Sequence, residues 1–132
     1  MRALLASCVL VGMALAPSAG VAAPLDGSAP MLCAVHQVMD CEAANCESTS
    51  VEEAQIPPFV RIDIQRRLLS SVDGARTSPI AQTNRTNGRL MLQGMQNQRV
   101  WGAVINEQTG RMWATVGEDD GAIVLSGTCI AP

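Results

Sequence analysis

The chain lacks lysine and tyrosine altogether, and its aromatic residues are one phenylalanine and two tryptophans. Carbohydrate-binding modules stack sugars on exposed aromatic side chains, and proteins that bind single-stranded nucleic acid stack bases on them. So few aromatic residues weaken both interpretations. The charge balance, 12 Asp and Glu against nine Arg, argues against nucleic acid and anionic membranes as partners, because both attract basic patches.

Recognisable sets of catalytic or metal-binding residues are also missing. His36 is the only histidine, and no nucleophile motif accompanies it. The Cys-x-x-Cys pairs typical of redox sites and of many zinc sites do not occur. The run Glu118-Asp119-Asp120 offers oxygen ligands for calcium, but it ends in a glycine between two predicted strands, which favours a solvated turn. We therefore predict a non-catalytic protein with no metal site and no cofactor.

The first 23 residues have the composition of an export signal. Arg2 supplies the positive charge, residues 3–16 form an apolar run, and small residues follow. The run is shorter than the roughly 20 apolar residues of a membrane-spanning helix, and Pro17 interrupts its end. We predict a signal peptide over residues 1–23 that is cleaved between residues 19 and 23, a periplasmic location, and no transmembrane anchor in the mature form.

The length that remains fits a single domain. Without the signal about 110 residues are left, the size of one small domain. Residues 24–31 are rich in Gly, Ser and Pro, so we predict a flexible N-terminal segment there. The rest, residues 32–132, is predicted to be one β domain.

The cysteines that follow the signal predict a cross-linked framework. Cys33, Cys41, Cys46 and Cys129 are an even number in a small exported domain, and two disulfide bonds are expected. Three pairings are possible. Because the residues between Cys41 and Cys46 have the composition of a turn, we favour a bond across that turn. The second bond, Cys33–Cys129, then closes a long loop and tethers both ends of the domain.

Alternating apolar and polar residues predict strands. The clearest case is residues 59–65, although a helix that begins at Pro57-Pro58 is an alternative. From residue 78 onward, turn signals recur about every 10–12 residues, and the strongest is Asn87-Gly88. We predict an all-β fold: an antiparallel meander of about seven or eight strands that forms a small barrel or sandwich stapled by the disulfide bonds.

Trp101 and Trp113 are the candidate partner-binding residues. They lie on adjacent predicted strands and either share a face or oppose one another, because a shift of one residue turns every side chain to the other face. Burial in the core is the default interpretation. The alternative is that one tryptophan is exposed and anchors a protein partner.

Two stretches of sequence resemble known proteins. They are residues 58–64, Pro-Phe-Val-Arg-Ile-Asp-Ile, and residues 101–112, which are followed by Ser-Gly-Thr-Cys at 126–129. They resemble a group of small, exported, uncharacterised proteobacterial proteins, a resemblance that implies no activity. More loosely, an exported β-barrel with such an ending is similar to the periplasmic inhibitors of C-type lysozyme. The Tyr and Lys of the inhibitory motif have no counterpart here, so that similarity implies a fold alone.

These observations predict a cell-envelope protein that binds another protein or a small ligand. The runner-up is a lysozyme-inhibitor-like protein whose acidic surface suits a basic enzyme. The third possibility is an enzyme with an unrecognised site that involves His36 or Asp63. A ligand carrier would need a cavity, which we predict to be lined by Leu90, Leu92, Val104 and Ile123.

Overall fold

The computed structural model describes Gly20 and residues 22–132. The predicted signal peptide therefore lies almost entirely outside the described residues, which omit residues 1–19 and Val21. Within the part that is described, no helix is long and apolar enough to cross a membrane.

The described residues form nine strands of one antiparallel sheet. The strands are β1 (Met31–Glu42), β2 (Asn45–Thr49), β3 (Phe59–Asp63), β4 (Leu68–Ser71), β5 (Thr77–Thr86), β6 (Arg89–Gln96), β7 (Arg99–Asn106), β8 (Arg111–Gly117) and β9 (Gly121–Ile130). Their order is β2-β1-β3-β4-β5-β6-β7-β8-β9, and β1 also pairs with β9. This last pairing closes an eight-stranded barrel and leaves β2 as an extra strand beside β1. The all-β prediction is confirmed, and the sheet closes as a barrel.

The alternation of side chains along each strand builds the core. In β7, Trp101, Ala103 and Ile105 point into the barrel, whereas Val100 and Val104 point outwards. The largest fully buried apolar side chains come from five different strands; they are Met31, Ile62, Ile80, Leu92 and Ile105. One face of the barrel strands is thus removed from water, which is the main favourable term in folding, whereas the extra strand β2 stays largely exposed.

Short turns connect the strands of the meander. Asn87 and Gly88 have φ values of 50° and 71° and join Thr86 directly to Arg89. Positive φ at both central residues is the geometry that Asn-Gly favours in a hairpin, because it matches the twist of the strands. The predicted hairpin at this position is confirmed.

Both predicted disulfide bonds are present. Cys33–Cys129 is buried and joins β1 to β9 at the pairing that closes the barrel. Cys41–Cys46 joins directly opposite residues of β1 and β2. No strand is predicted from the sequence in the residues after Cys46. The structure differs because the turn is only two residues long, Ala43-Ala44, so the chain returns alongside β1 at once.

The two ends of the barrel are built differently. We call one the lower end, formed by residues 22–30, 64–67, 87–88 and 107–110, and the other the upper end, formed by residues 50–58, 72–76, 97–98 and 118–120. At the lower end Leu25 packs against the core, and Gln65 Nε2 donates to the Gly27 carbonyl at 3.4 Å. The upper end is covered by segment 50–58, and this is where the barrel holds space.

Candidate functional site

The upper half of the barrel contains a cavity of 240 Å³. Its wall is apolar and comes from six strands; it consists of Val35, Val60, Leu69, Trp101, Ala103, Met112, Ala114, Val116 and Leu125. Its rim is mostly polar and consists of Gln55, Ile56, Pro57, Arg76, Gln96, Asn97, Arg99 and Thr115. An apolar concavity bordered by a few polar groups is the usual form of a small-molecule site.

Two small side chains explain why this part of the barrel is not filled. Ala103 on β7 and Ala114 on β8 are direct cross-strand partners, and both line the cavity. The interior of an eight-stranded barrel is just wide enough to be filled by side chains or to hold one small ligand. Because Ala103 and Ala114 place two neighbouring methyl groups where larger side chains would fit, the upper end of this barrel keeps space for a small ligand.

Trp101 is held in the cavity wall by specific contacts. Its Nε1 donates to Ser78 Oγ at 2.7 Å, and Ser78 Oγ in turn lies 3.2 Å from the Met95 carbonyl that it donates to. Gly94 is the cross-strand partner of Trp101, and a Cβ at that position would lie 2.4 Å from Trp101 Cζ2. Because its N–H is already satisfied and glycine leaves room for its ring, the buried indole adds apolar surface to the cavity.

Segment 50–58 forms a single turn over the upper end. The Glu53 amide donates to Ser50 Oγ at 3.1 Å, and the Ser50 amide donates to Glu53 Oε2 at 3.4 Å in return. Thr49 Oγ1 also donates to Glu53 Oε2, at 2.9 Å. The hydrogen bond from Thr49, followed by those from Ser50, holds the pKa of Glu53 below its ordinary value of 4.5. The reciprocal bonds between Ser50 and Glu53 are the capping pattern of a helix start. Pro57 and Pro58 follow the turn, and proline in the interior would interrupt a helix.

The rim carries two arginines, of which one is paired with a carboxylate and the other is not. Arg99 Nη1 pairs with Glu118 Oε1 at 2.8 Å. Arg76 donates from Nη1 to the Gln55 carbonyl, which fixes segment 50–58 to the loop between β4 and β5. Among residues 22–132, Arg76 takes part in none of the three ion pairs. The rim therefore presents a cation whose charge is not neutralised by direct contact with a carboxylate.

The two tryptophans lie on opposite faces of the sheet. Trp101 is 8% exposed, whereas Trp113 is 53% exposed on the outer surface of β8. Val104 is the cross-strand partner of both Met91 and Trp113, so the three form an apolar row across β6, β7 and β8. The default prediction of burial is confirmed for Trp101 and wrong for Trp113, because the register of β7 and β8 turns position 113 outwards.

The cavity does not lie where the sequence predicts it. Leu90, Leu92 and Ile123 are packed in the core, and Val104 faces solvent, so the predicted lining is wrong. Leu90 and Leu92 on β6 and Ile123 on β9 do point inwards, but none of them borders the cavity. The cavity lies instead where alanines face one another.

The polar residues considered for catalysis lie outside the cavity wall and rim. His36 is exposed on β1, with Nε2 3.1 Å from Thr128 Oγ1. Asp63 lies at the end of β3, where Oδ1 accepts from the Arg66 amide at 3.0 Å. In the part of the chain that the structure describes, no cluster of three or more His, Cys, Asp or Glu residues could hold a metal ion.

Comparison with protein-family models, with curated proteins and with solved structures finds no match for this chain. The resemblances to small exported proteins and to lysozyme inhibitors therefore stay predictions. The function has to be inferred from the geometry of the cavity and of the outer face.

Proposed function

We propose that this protein is a non-catalytic binding module that takes up a small, largely apolar ligand in the upper half of its barrel. The observation that supports this most strongly is the 240 Å³ cavity beside the facing pair Ala103 and Ala114. An apolar cavity of about 150 Å³ binds benzene. By that measure the present cavity has room for a ligand of roughly ten non-hydrogen atoms.

The size of the cavity also bounds the affinity. Small ligands gain at most about 1.5 kcal/mol per non-hydrogen atom, and larger ones about 0.3 kcal/mol. At an intermediate value near 0.6 kcal/mol, ten atoms give about 6 kcal/mol. This corresponds to a dissociation constant on the order of 10–100 µM. Such an affinity suits reversible uptake.

The cellular location belongs to the same proposal. The composition of residues 1–23 is that of an export signal. Two disulfide bonds in a small domain fit an oxidising compartment such as the periplasm. Together they support a role in the cell envelope.

The test uses Trp101 as a reporter. In a Trp113→Phe variant, Trp101 is the only tryptophan of the chain, and it lines the cavity. Titration with 1-octanol should change its fluorescence in a saturable manner. In the control variant Trp101→Phe, the remaining tryptophan lies outside the barrel and should not respond. A linear response, or the same response in both variants, would rule out binding in the cavity.

The outer face supports a second candidate function, the binding of a protein partner. Arg89 and Arg111 are exposed and precede Met91 and Trp113 by two residues, so they lie on the same face as the apolar row. A partner for this surface should offer acidic groups around an apolar contact. That charge pattern does not suit a basic enzyme, which would have to use the acidic turn at 118–120 instead.

Two measurements separate these partners. An acidic protein that is captured on the immobilised chain and then purified should bind more weakly to Trp113→Ser and to Arg111→Glu, whereas Met95→Ser should bind normally. Retention by all three variants would exclude this face. For the alternative, the mature protein is added to a C-type lysozyme in equimolar amount. A lysozyme-inhibitor-like protein would slow cell-wall hydrolysis, and unchanged hydrolysis would remove that alternative.

A further inference from the structure

The cavity offers polar groups to a ligand only at its rim. Among the described residues, no buried side-chain nitrogen or oxygen lacks a hydrogen-bond partner. In the wall, Trp101 Nε1 is already bonded to Ser78 Oγ. A polar group carried deep into the cavity would lose its hydrogen bonds to water without replacement, which costs free energy. The body of the ligand must therefore be apolar, and any polar group must stay at the upper opening.

The rim offers donors and positive charge. Arg76 has five N–H groups to donate, and one nitrogen, Nη1, contacts the Gln55 carbonyl. The side chains that line the cavity include two arginines and no carboxylate. Glu118 neutralises Arg99 at 2.8 Å, so Arg76 is the guanidinium that is available for an ionic contact.

The acids beside Arg76 do not border the opening. Asp73 and Glu52 line the neighbouring outer groove, which Arg76 also borders, rather than the cavity. Asp73 Oδ1 accepts hydrogen bonds from Ser71 Oγ at 2.5 Å and from the Ala75 amide at 3.0 Å. These bonds, and to a smaller extent the charge of Arg76, keep the pKa of Asp73 below its ordinary value of 3.8. The Asp73 carboxylate is thus bound by Ser71 and Ala75 of its own loop and forms no ion pair with Arg76.

We propose that the ligand is a small amphipathic anion: an apolar body occupies the cavity, and a carboxylate or similar anionic group meets Arg76 at the rim. This inference rests on the proposed ligand-binding function and adds the chemical class of the ligand. Guanidinium groups recognise carboxylates and phosphates through paired hydrogen bonds, so a phosphate head group is the other source of the same chemistry.

The probes are eight-carbon chains that differ only in their head group: octanoate, octyl phosphate, 1-octanol and octylamine. Binding is measured by Trp101 fluorescence in the Trp113→Phe background. An ionic contact near the surface should make octanoate bind roughly three- to fivefold more tightly than 1-octanol. Octylamine should bind most weakly. A preference for octyl phosphate over octanoate would identify phosphate as the head group.

Substitution of Arg76 tests the residue that we assign. Arg76→Gln should remove the preference, so that octanoate and 1-octanol bind with equal affinity; the ratio of the two affinities is the readout, because loss of the contact with the Gln55 carbonyl acts on both probes alike. Arg61→Gln removes the same charge from the outer face of β3 and should keep the preference. A second measurement keeps Arg76 in place and varies the salt concentration. The ratio of the octanoate affinity to the 1-octanol affinity should fall when the salt concentration rises from about 0.02 to 0.5 M, because salt screens exposed charges.

The outcomes separate this inference from the proposed function. Equal binding of octanoate and 1-octanol, or a preference that persists in Arg76→Gln, would overturn the anionic head group and leave the cavity as a binding site. Failure of all four probes to bind would overturn both.

Discussion

Filling the cavity should stabilise the protein and abolish ligand binding at the same time. The substitution is Ala114→Leu, which places an isobutyl group where a methyl group now lines the cavity. Ala103 is the cross-strand partner of Ala114, so the new side chain extends over the small residue beside it. The added atoms enter existing space instead of displacing the packed core.

The magnitude follows from the atoms that the substitution adds. Three additional carbon atoms recover at most about 2.4 kcal/mol at 0.8 kcal/mol each. Side-chain entropy and imperfect fit reduce the gain, and substitutions that fill cavities typically yield about 0.5–2 kcal/mol. We expect about 1 kcal/mol, which is a rise in melting temperature of roughly 4 °C.

Thermal unfolding and ligand titration are measured on the same samples. Ala114→Leu should melt at a higher temperature and should no longer bind 1-octanol. The control is Ala81→Leu, which makes the same change at an exposed position of β5 that does not line the cavity and should leave binding intact. Loss of stability together with retained binding would mean that position 114 does not border usable space, and the account of the cavity would be wrong.

Three further predictions concern the framework of the site. Gly94→Ala should destabilise the fold by about 1–3 kcal/mol in urea unfolding, because its Cβ would overlap the ring of Trp101; unchanged stability would refute the close approach. Replacing Cys33 and Cys129 with alanine opens a loop of 96 residues and should cost about 4–5 kcal/mol. The same change at Cys41–Cys46 opens a loop of five residues and should cost about 2 kcal/mol; equal costs would contradict the loop argument. The lowered pKa of Glu53 stabilises the folded state above pH 4.5, and this contribution is lost as the pH falls through the lowered value. Glu53→Gln should therefore make acid unfolding depend less steeply on pH, and an unchanged profile would show that the hydrogen bonds from Thr49 and Ser50 do not favour the carboxylate.

Local sequence patterns were sufficient to predict an antiparallel meander and its hairpins. Turn residues such as Asn87-Gly88 encode their own backbone geometry, so the hairpins of the meander follow from the order of residues. The disulfide pairing also followed, because one short turn at Cys41–Cys46 leaves a single partner for Cys33. Closure into a barrel depends on the pairing of β1 with β9, which are far apart in the chain, and the choice between barrel and sandwich therefore had to come from the structure.

The cavity could not be predicted because it depends on register and on side-chain size together. The alternation in β7 indicates that every second residue is buried, but Val100-Trp101-Gly102-Ala103-Val104 contains apolar or small residues on both faces. Only the pairing of Ala103 with Ala114 shows that two small side chains meet at one level of the barrel. The position of Arg76 at the rim could not be predicted from the sequence either, because it results from the path of the loop between β4 and β5.

The central claim is that the upper half of the barrel holds a ligand, and methyl NMR tests it most directly. With alanine methyl groups labelled, 1-octanol is titrated into the mature protein. The account predicts saturable shifts at Ala103 and Ala114, with the same dissociation constant for both, and no shift at Ala122, which lies on β9 away from the cavity wall. Unmoved signals from Ala103 and Ala114 at saturating 1-octanol would contradict it.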